Sequence, residues 1–188
     1  MGILNITPDS FSDGGFYYDK TAALFRAEEL IKDGADIIDI GGQSTRPGSS
    51  EVSEEEEIDR IVSIIEAVSS LGIIVSADTS RAAVMRAAIQ AGASIINDVY
   101  ALQRPGSLEV VSKTGVAVCL MHMKGNPETM QKSPFYYNVI EEICFFFRQR
   151  IEACLNANIC LENIIIDPGI GFGKTSVHNK SIINNLTD

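Results

Sequence analysis

The chain has 188 residues, 45% of them hydrophobic, with a formal net charge of −10, four cysteines and no tryptophan. This composition excludes a disordered tail, a collagen-like repeat and a disulfide scaffold, and the length is ample for a buried core. It offers no basic stripe for a nucleic-acid partner, and no apolar run approaches the roughly 18 residues that a membrane span needs.

In chain order, the first predicted strand is Gly2–Ile6, and the segment before it shows neither the basic region nor the apolar stretch of a secretory signal. A cytoplasmic protein is the expectation. A second strand covers Asp36–Ile40. A helix follows over Ser53–Leu71, with Ser53 and Glu56 as a capping box and Ile58, Ile61, Ile65 and Val68 as its buried stripe. The run Glu54–Glu57 reads as a solvated helix start at the positive end of the dipole. Next come a strand at Ile73–Ala77, a helix over Ser80–Ala91 with Gly92 as its cap, and strands at Ser94–Asp98 and Ala117–His122. A helix over Tyr136–Ala157 uses Phe145–Phe147 for packing, and the last strand is Asn163–Asp167. Cys119, Cys144, Cys154 and Cys160 lack metal-ligand spacing and read as reduced, structural thiols.

The strands are apolar in continuous runs rather than alternating, as in a parallel sheet buried on both faces. A faint repeat supports this: Gly34–Asp39 recurs as Gly92–Asn97, 58 positions later, or two βα units of roughly 30 residues. Six such units fill the chain as one domain, residues 1–188, with no linker. Unbroken βα repetition leaves a (β/α) barrel or an open doubly wound sheet.

Both architectures bind ligands at the C-terminal strand ends, which here carry Asn5, Asp39, Asp78, Asn97, His122 and Asp167. Asn5, Asp78, Asn97 and Asp167 are acids or amides ending apolar runs. Converging in an apolar pocket, they suit a flat heterocycle with amidine-like N–H donors. His122 reads as a satisfied core histidine. Two polar loops, Thr7–Gly15 and Gly41–Gly48, combine glycines, hydroxyls and Arg46 in a pattern suited to closing over an anion. The segment Asp167–Thr175 imitates nucleotide motifs without satisfying them, because Pro168 stands where the phosphate loop needs glycine. It reads instead as a glycine-rich turn with Phe172 exposed over the mouth.

Met1–Gly15, Gly41–Gly48, Ile95–Asp98, Leu120–Pro127 and Asp167–Lys174 together resemble the dihydropteroate synthase family of pterin-binding enzymes from end to end of the chain. The resemblance implies a TIM-type (β/α)8 barrel that joins 6-hydroxymethyl-dihydropterin diphosphate to p-aminobenzoate with Mg²⁺, as a homodimer in the full-length family. It places Asp167 and Asn97 on the pyrimidine edge of the pterin, Asp78 on the other ring as a catalytic residue, and Met121 against the ring. Asn5 would serve the diphosphate and its metal ion, with Arg46 beside it. Phe11, Thr45, Pro47 and Phe172 would line the p-aminobenzoate pocket, Asp13 would stabilise the cationic intermediate, and Lys174 counts among the substrate-binding residues. Gln43 departs from the glutamate common in the family.

A full barrel needs eight units and about 250 residues, whereas six are present, without the family's Ser-Arg-Lys and Arg-x-His motifs. The expectation is a chain truncated at its C-terminus, with an open edge on the sixth strand and a tendency to associate. Two other readings follow: an inactive barrel that binds only pterin or a partner chain, and a methyltetrahydrofolate methyltransferase. The latter is not expected to carry the two loops.

Overall fold

In the computed structural model, residues 1–6, 15–43, 52–125 and 129–186 are described. Strands and helices alternate: β1 (Gly2–Asn5), α1 (Gly15–Lys32), β2 (Ile37–Gly41), α2 (Glu54–Ser69), β3 (Ile74–Asp78), α3 (Ala82–Gln90), β4 (Ile95–Asp98), α4 (Ser107–Ser112), β5 (Ala117–Met121), α5 (Val139–Asn156), β6 (Ile164–Asp167) and α6 (Ser176–Asn184). All six strands lie parallel in one sheet, in the order β1-β2-β3-β4-β5-β6. Sequential parallel order is that of a barrel wall and not of a doubly wound sheet, which reverses at a switch point. β1 and β6 form its two edges.

Every strand falls within a residue or so of its predicted span. One face packs on the helices. Ile38, Ile40, Val75, Ile96, Val118 and Leu120 point outward onto Ile61, Ile65 and Val68 of α2 and Val84, Met85 and Ala88 of α3, all fully buried or nearly so. Each large aliphatic chain so buried contributes roughly 1.5–3 kcal/mol. The other face is the barrel interior, where Ile3 (65% exposed) and Ile165 remain open. Ile166 is also exposed on the β6 edge, in line with the open edge expected there.

The Ser53 hydroxyl accepts from the Glu56 N–H at 3.1 Å, so the cap is present. The Glu56 carboxylate, however, pairs with Arg60. Gly34 and Gly92, the repeat's two glycines, both have positive φ (99° and 111°) and end α1 and α3 in the same way. The aromatic run divides: Phe147 is buried whereas Phe145 faces solvent. No described helix is long and apolar enough to cross a membrane.

Candidate active site

Strand register sets the site's floor. Asn5 lies opposite Gly41, Gly41 opposite Asp78, Asp78 opposite Asn97, and Asn97 opposite Cys119. Met121 and Asp167 pair at the end of the next two strands. The glycine at position 41 matters sterically: a Cβ there would lie 3.3 Å from Asp78 Oδ2 and 3.5 Å from Asn5 Oδ1. Without a side chain, the space between these two oxygens stays open.

Beneath this row sits Asp39, only 5% exposed. Its Oδ2 accepts from Asn97 Nδ2 at 3.0 Å. Its Oδ1 and the Ser76 hydroxyl beside it are buried without a hydrogen-bond partner. Burial raises the Asp39 carboxyl above the usual range; Ser76, close but not in hydrogen-bond geometry, and Asn97 oppose that rise. Asp78 is pushed up to about 8, first by burial and then by the carboxylates of Asp39, Glu57 and Asp98. The neighbouring Asp98 points the other way, fully buried among the helices, and accepts from the N–H groups of Tyr100 and Leu102 at 2.8 Å each.

The β5–β6 corner is built differently. Asp167 Oδ1 accepts from the Gly169 N–H at 2.7 Å, and the His122 N–H donates to the Asp167 carbonyl at 2.9 Å. Lys174, 3% exposed, donates to His122 Nδ1 (3.0 Å), the His122 carbonyl (3.1 Å) and the Phe172 carbonyl (3.0 Å). An ammonium has three protons, and all three are used. Burial pushes Lys174 down to about 8. It also pushes His122 down to about 4, with the Lys174 charge adding to the effect. His122 is therefore the satisfied core histidine its apolar setting suggested. The glycine-rich turn owes its composition to close approach. At Gly169 (φ 68°) a Cβ would sit 2.1 Å from the His122 carbonyl oxygen. Phe172 is half-buried, not exposed as expected, because its backbone is tied down by Gly169 and Lys174.

A second correction concerns the glutamate run. Glu57 is not part of a solvated helix start: it is 2% exposed, accepts from Thr79 Oγ1 at 2.7 Å and pairs with Arg81 at 3.3 Å. Position 57 lies four before Ile61, on the buried stripe, and that spacing was the available signal. Burial raises the Glu57 carboxyl, against the Thr79 and Arg81 contacts. Arg81 also donates to the Val52 carbonyl (2.6 Å) and Arg60 to the Gly42 carbonyl (2.8 Å). Two arginines thus hold the stems on either side of residues 44–51.

Of the sequence-derived site residues, the structure brings Asn5, Asp78 and Asn97 onto one row, with Met121 and Asp167 beside it. Lys174 lies below the surface. Phe11, Asp13, Thr45, Arg46 and Pro47 lie outside the described residues. Asp39, left out of the candidate set, belongs to the floor. Cys119 is an inert part of it, its thiol pushed up to about 12 by burial. Among the described residues no three His, Cys, Asp or Glu side chains are grouped to hold a metal ion. Chemically, the floor presents oxygen acceptors to whatever enters, with more carboxyl groups than it can ionise at once.

The chain was compared with known proteins. The family model described as pterin binding enzyme matches residues 1–188. The dihydropteroate synthase of Haemophilus influenzae is 49% identical over the whole chain, which covers 69% of that protein. A Yersinia pestis dihydropteroate synthase crystallised with a sulfonamide drug superposes with a TM-score of 0.92 at 49% identity, covering 99% of this chain and 68% of that one. The Xanthomonas albilineans enzyme with 4-aminobenzoic acid gives a TM-score of 0.90 at 44% identity, covering 98% and 66%. The chain spans about two thirds of the length of these relatives.

Proposed function

Because the chain belongs to the pterin-binding enzyme family, among the dihydropteroate synthases, we propose that its strand-end floor binds a pterin and serves the synthase reaction. The aniline nitrogen of p-aminobenzoate forms a bond to the exocyclic carbon of 6-hydroxymethyl-dihydropterin diphosphate. The carbon–oxygen bond to diphosphate breaks, diphosphate leaves with the electron pair, and the aniline nitrogen loses its proton to solvent.

The observation that carries this reading is the acceptor floor of Asp78 and Asn97 with Asp167 beside it, which complements a ring edge rich in N–H donors. Asp78 adds a chemical role. A carboxyl held near 8 by burial and like charge ionises more readily as positive charge develops on the ring before it. That charge is stabilised in return. Met121, buried on the same face, supplies an apolar contact for the ring, and Phe172 contributes to the p-aminobenzoate side with Phe11, Thr45 and Pro47. In this reading Arg46 meets the diphosphate and Asp13 the cationic intermediate, while Lys174 serves the substrates by holding the turn that carries Phe172.

The donor set fits a hard divalent cation such as Mg²⁺. Asn5 offers an amide oxygen beside the open space over Gly41, and Mg²⁺ bound to phosphates needs few protein ligands. When bound, such an ion neutralises charge on the leaving diphosphate. We further place the protein in the cytoplasm, where the four cysteines stay reduced, with small molecules as substrates and a second copy of the chain as its partner.

The test is 7,8-dihydropteroate formation from both substrates with Mg²⁺, alongside calorimetric binding of 6-hydroxymethylpterin. Turnover supports the full reading. Pterin binding without turnover supports the second reading, a barrel wall that only binds pterin. Absence of pterin binding defeats both.

A further inference from the structure

Asp39 and Asn97 belong to strands that do not touch. β3 lies between them, yet Asn97 Nδ2 reaches Asp39 Oδ2 at 3.0 Å across 58 residues of sequence. Barrel interiors explain how: alternate strands contribute to one layer of side chains. β2 and β4 share a layer, and the intervening strand places the small Ser76 opposite Asp39, leaving the gap open. A carboxylate oxygen can only accept, so the amide nitrogen must face Asp39 and the amide oxygen must face away from it. Asn97 is half-buried and Asp39 nearly fully buried, so the arrangement has a floor and an open side.

We propose that Asp39 is a positioning residue that fixes the Asn97 amide with its oxygen toward the mouth, making Asn97 an acceptor and selecting ligands with ring N–H donors. The inference rests on the pterin reading for the ligand's identity, but the orientation of the amide does not depend on it. Asp39 keeps one oxygen, Oδ1, unpartnered next to the equally unpartnered Ser76 hydroxyl.

Asn97→Asp separates the two roles of this amide. If Asn97 mattered only as a ligand acceptor, aspartate would serve as well. If its N–H is needed to meet Asp39, the substitution sets carboxylate against carboxylate. Calorimetry with 6-hydroxymethylpterin is expected to show affinity reduced at least about tenfold by Asn97→Asp. The reciprocal double variant, Asp39→Asn with Asn97→Asp, rebuilds the bond with donor and acceptor exchanged and restores affinity to within about threefold of wild type. Unchanged affinity in the single variant, or a double variant no better than it, overturns the proposal.

A measurement without ligand stands beside it. In wild type the Asn97 side-chain amide protons are expected to exchange more slowly with solvent, by NMR, than in a folded Asp39→Ala variant. Equal rates in the two overturn the proposal. Loss of pterin binding by the wild type overturns the functional reading instead, and leaves the exchange result to decide this one.

Discussion

The β2–β4 floor and the β5–β6 corner are both buried, polar and close to the strand ends, but they use their hydrogen bonds in opposite ways. At the corner, Lys174 gives its three protons to His122 and Phe172, and the glycine turn leaves no space for a Cβ beside the His122 carbonyl. On the floor, Asp39 keeps an unpartnered oxygen, Asp78 is crowded by other carboxyl groups, and Gly41 leaves room beside it. A strut is recognised by satisfied valences. A binding surface is recognised by valences held open and charge held under strain, which a ligand relieves.

The largest effect expected is at the corner. Gly169→Ala forces a Cβ into the His122 carbonyl at positive φ and should lower stability by at least about 3 kcal/mol in urea denaturation. A variant as stable as wild type would break the comparison at its firmest point. Lys174→Met should cost about 2–3 kcal/mol, since it strands three buried acceptors.

The floor should respond in the opposite sense. Asp78 titrates near 8 in the fold against an ordinary 3.8. Across that window the folded protein holds a proton that the unfolded chain has released, so this group makes the fold less stable as pH rises. Asp78→Asn should therefore be more stable than wild type at pH 8, by at least about 1 kcal/mol, while pterin binding is lost. At the corner the sign reverses. His122 sits near 4 against 6.5, so the unfolded chain gains the proton first and stability falls as pH drops from about 6.5 to 4. Denaturation midpoints of His122→Gln should lack that acid slope.

The smallest effect concerns the thiols. Cys160 is exposed, whereas Cys119 and Cys154 are buried. Maleimide labelling of the native protein should therefore modify Cys160 first and leave Cys119 and Cys154 unreacted until unfolding. Early labelling of Cys119 would mean that the floor opens far more than its burial indicates.

Much of this was legible from the chain alone. Continuous apolar runs located the strands, the Gly34 and Gly92 repeat located two helix ends, and the polar residues ending those runs, Asn5, Asp78, Asn97 and Asp167, come together at one end of the sheet. Two readings needed correction. Glu57 was read from its acidic neighbours but is decided by Thr79 and Arg81, distant in sequence, and Phe172 was read as exposed but is half-buried in a turn that Gly169 and Lys174 tie down.

Runs of apolar residues and the glycines that end helices are local signals, and from them the parallel βα order and the strand positions could be read off the sequence. It could not say which polar group meets which. The repeat even aligned Asp39 with Asn97, 58 positions apart, without revealing that they touch. Only the tertiary structure decided that, because contact between alternate strands depends on the curvature of the sheet and on a small residue, Ser76, in the strand between them.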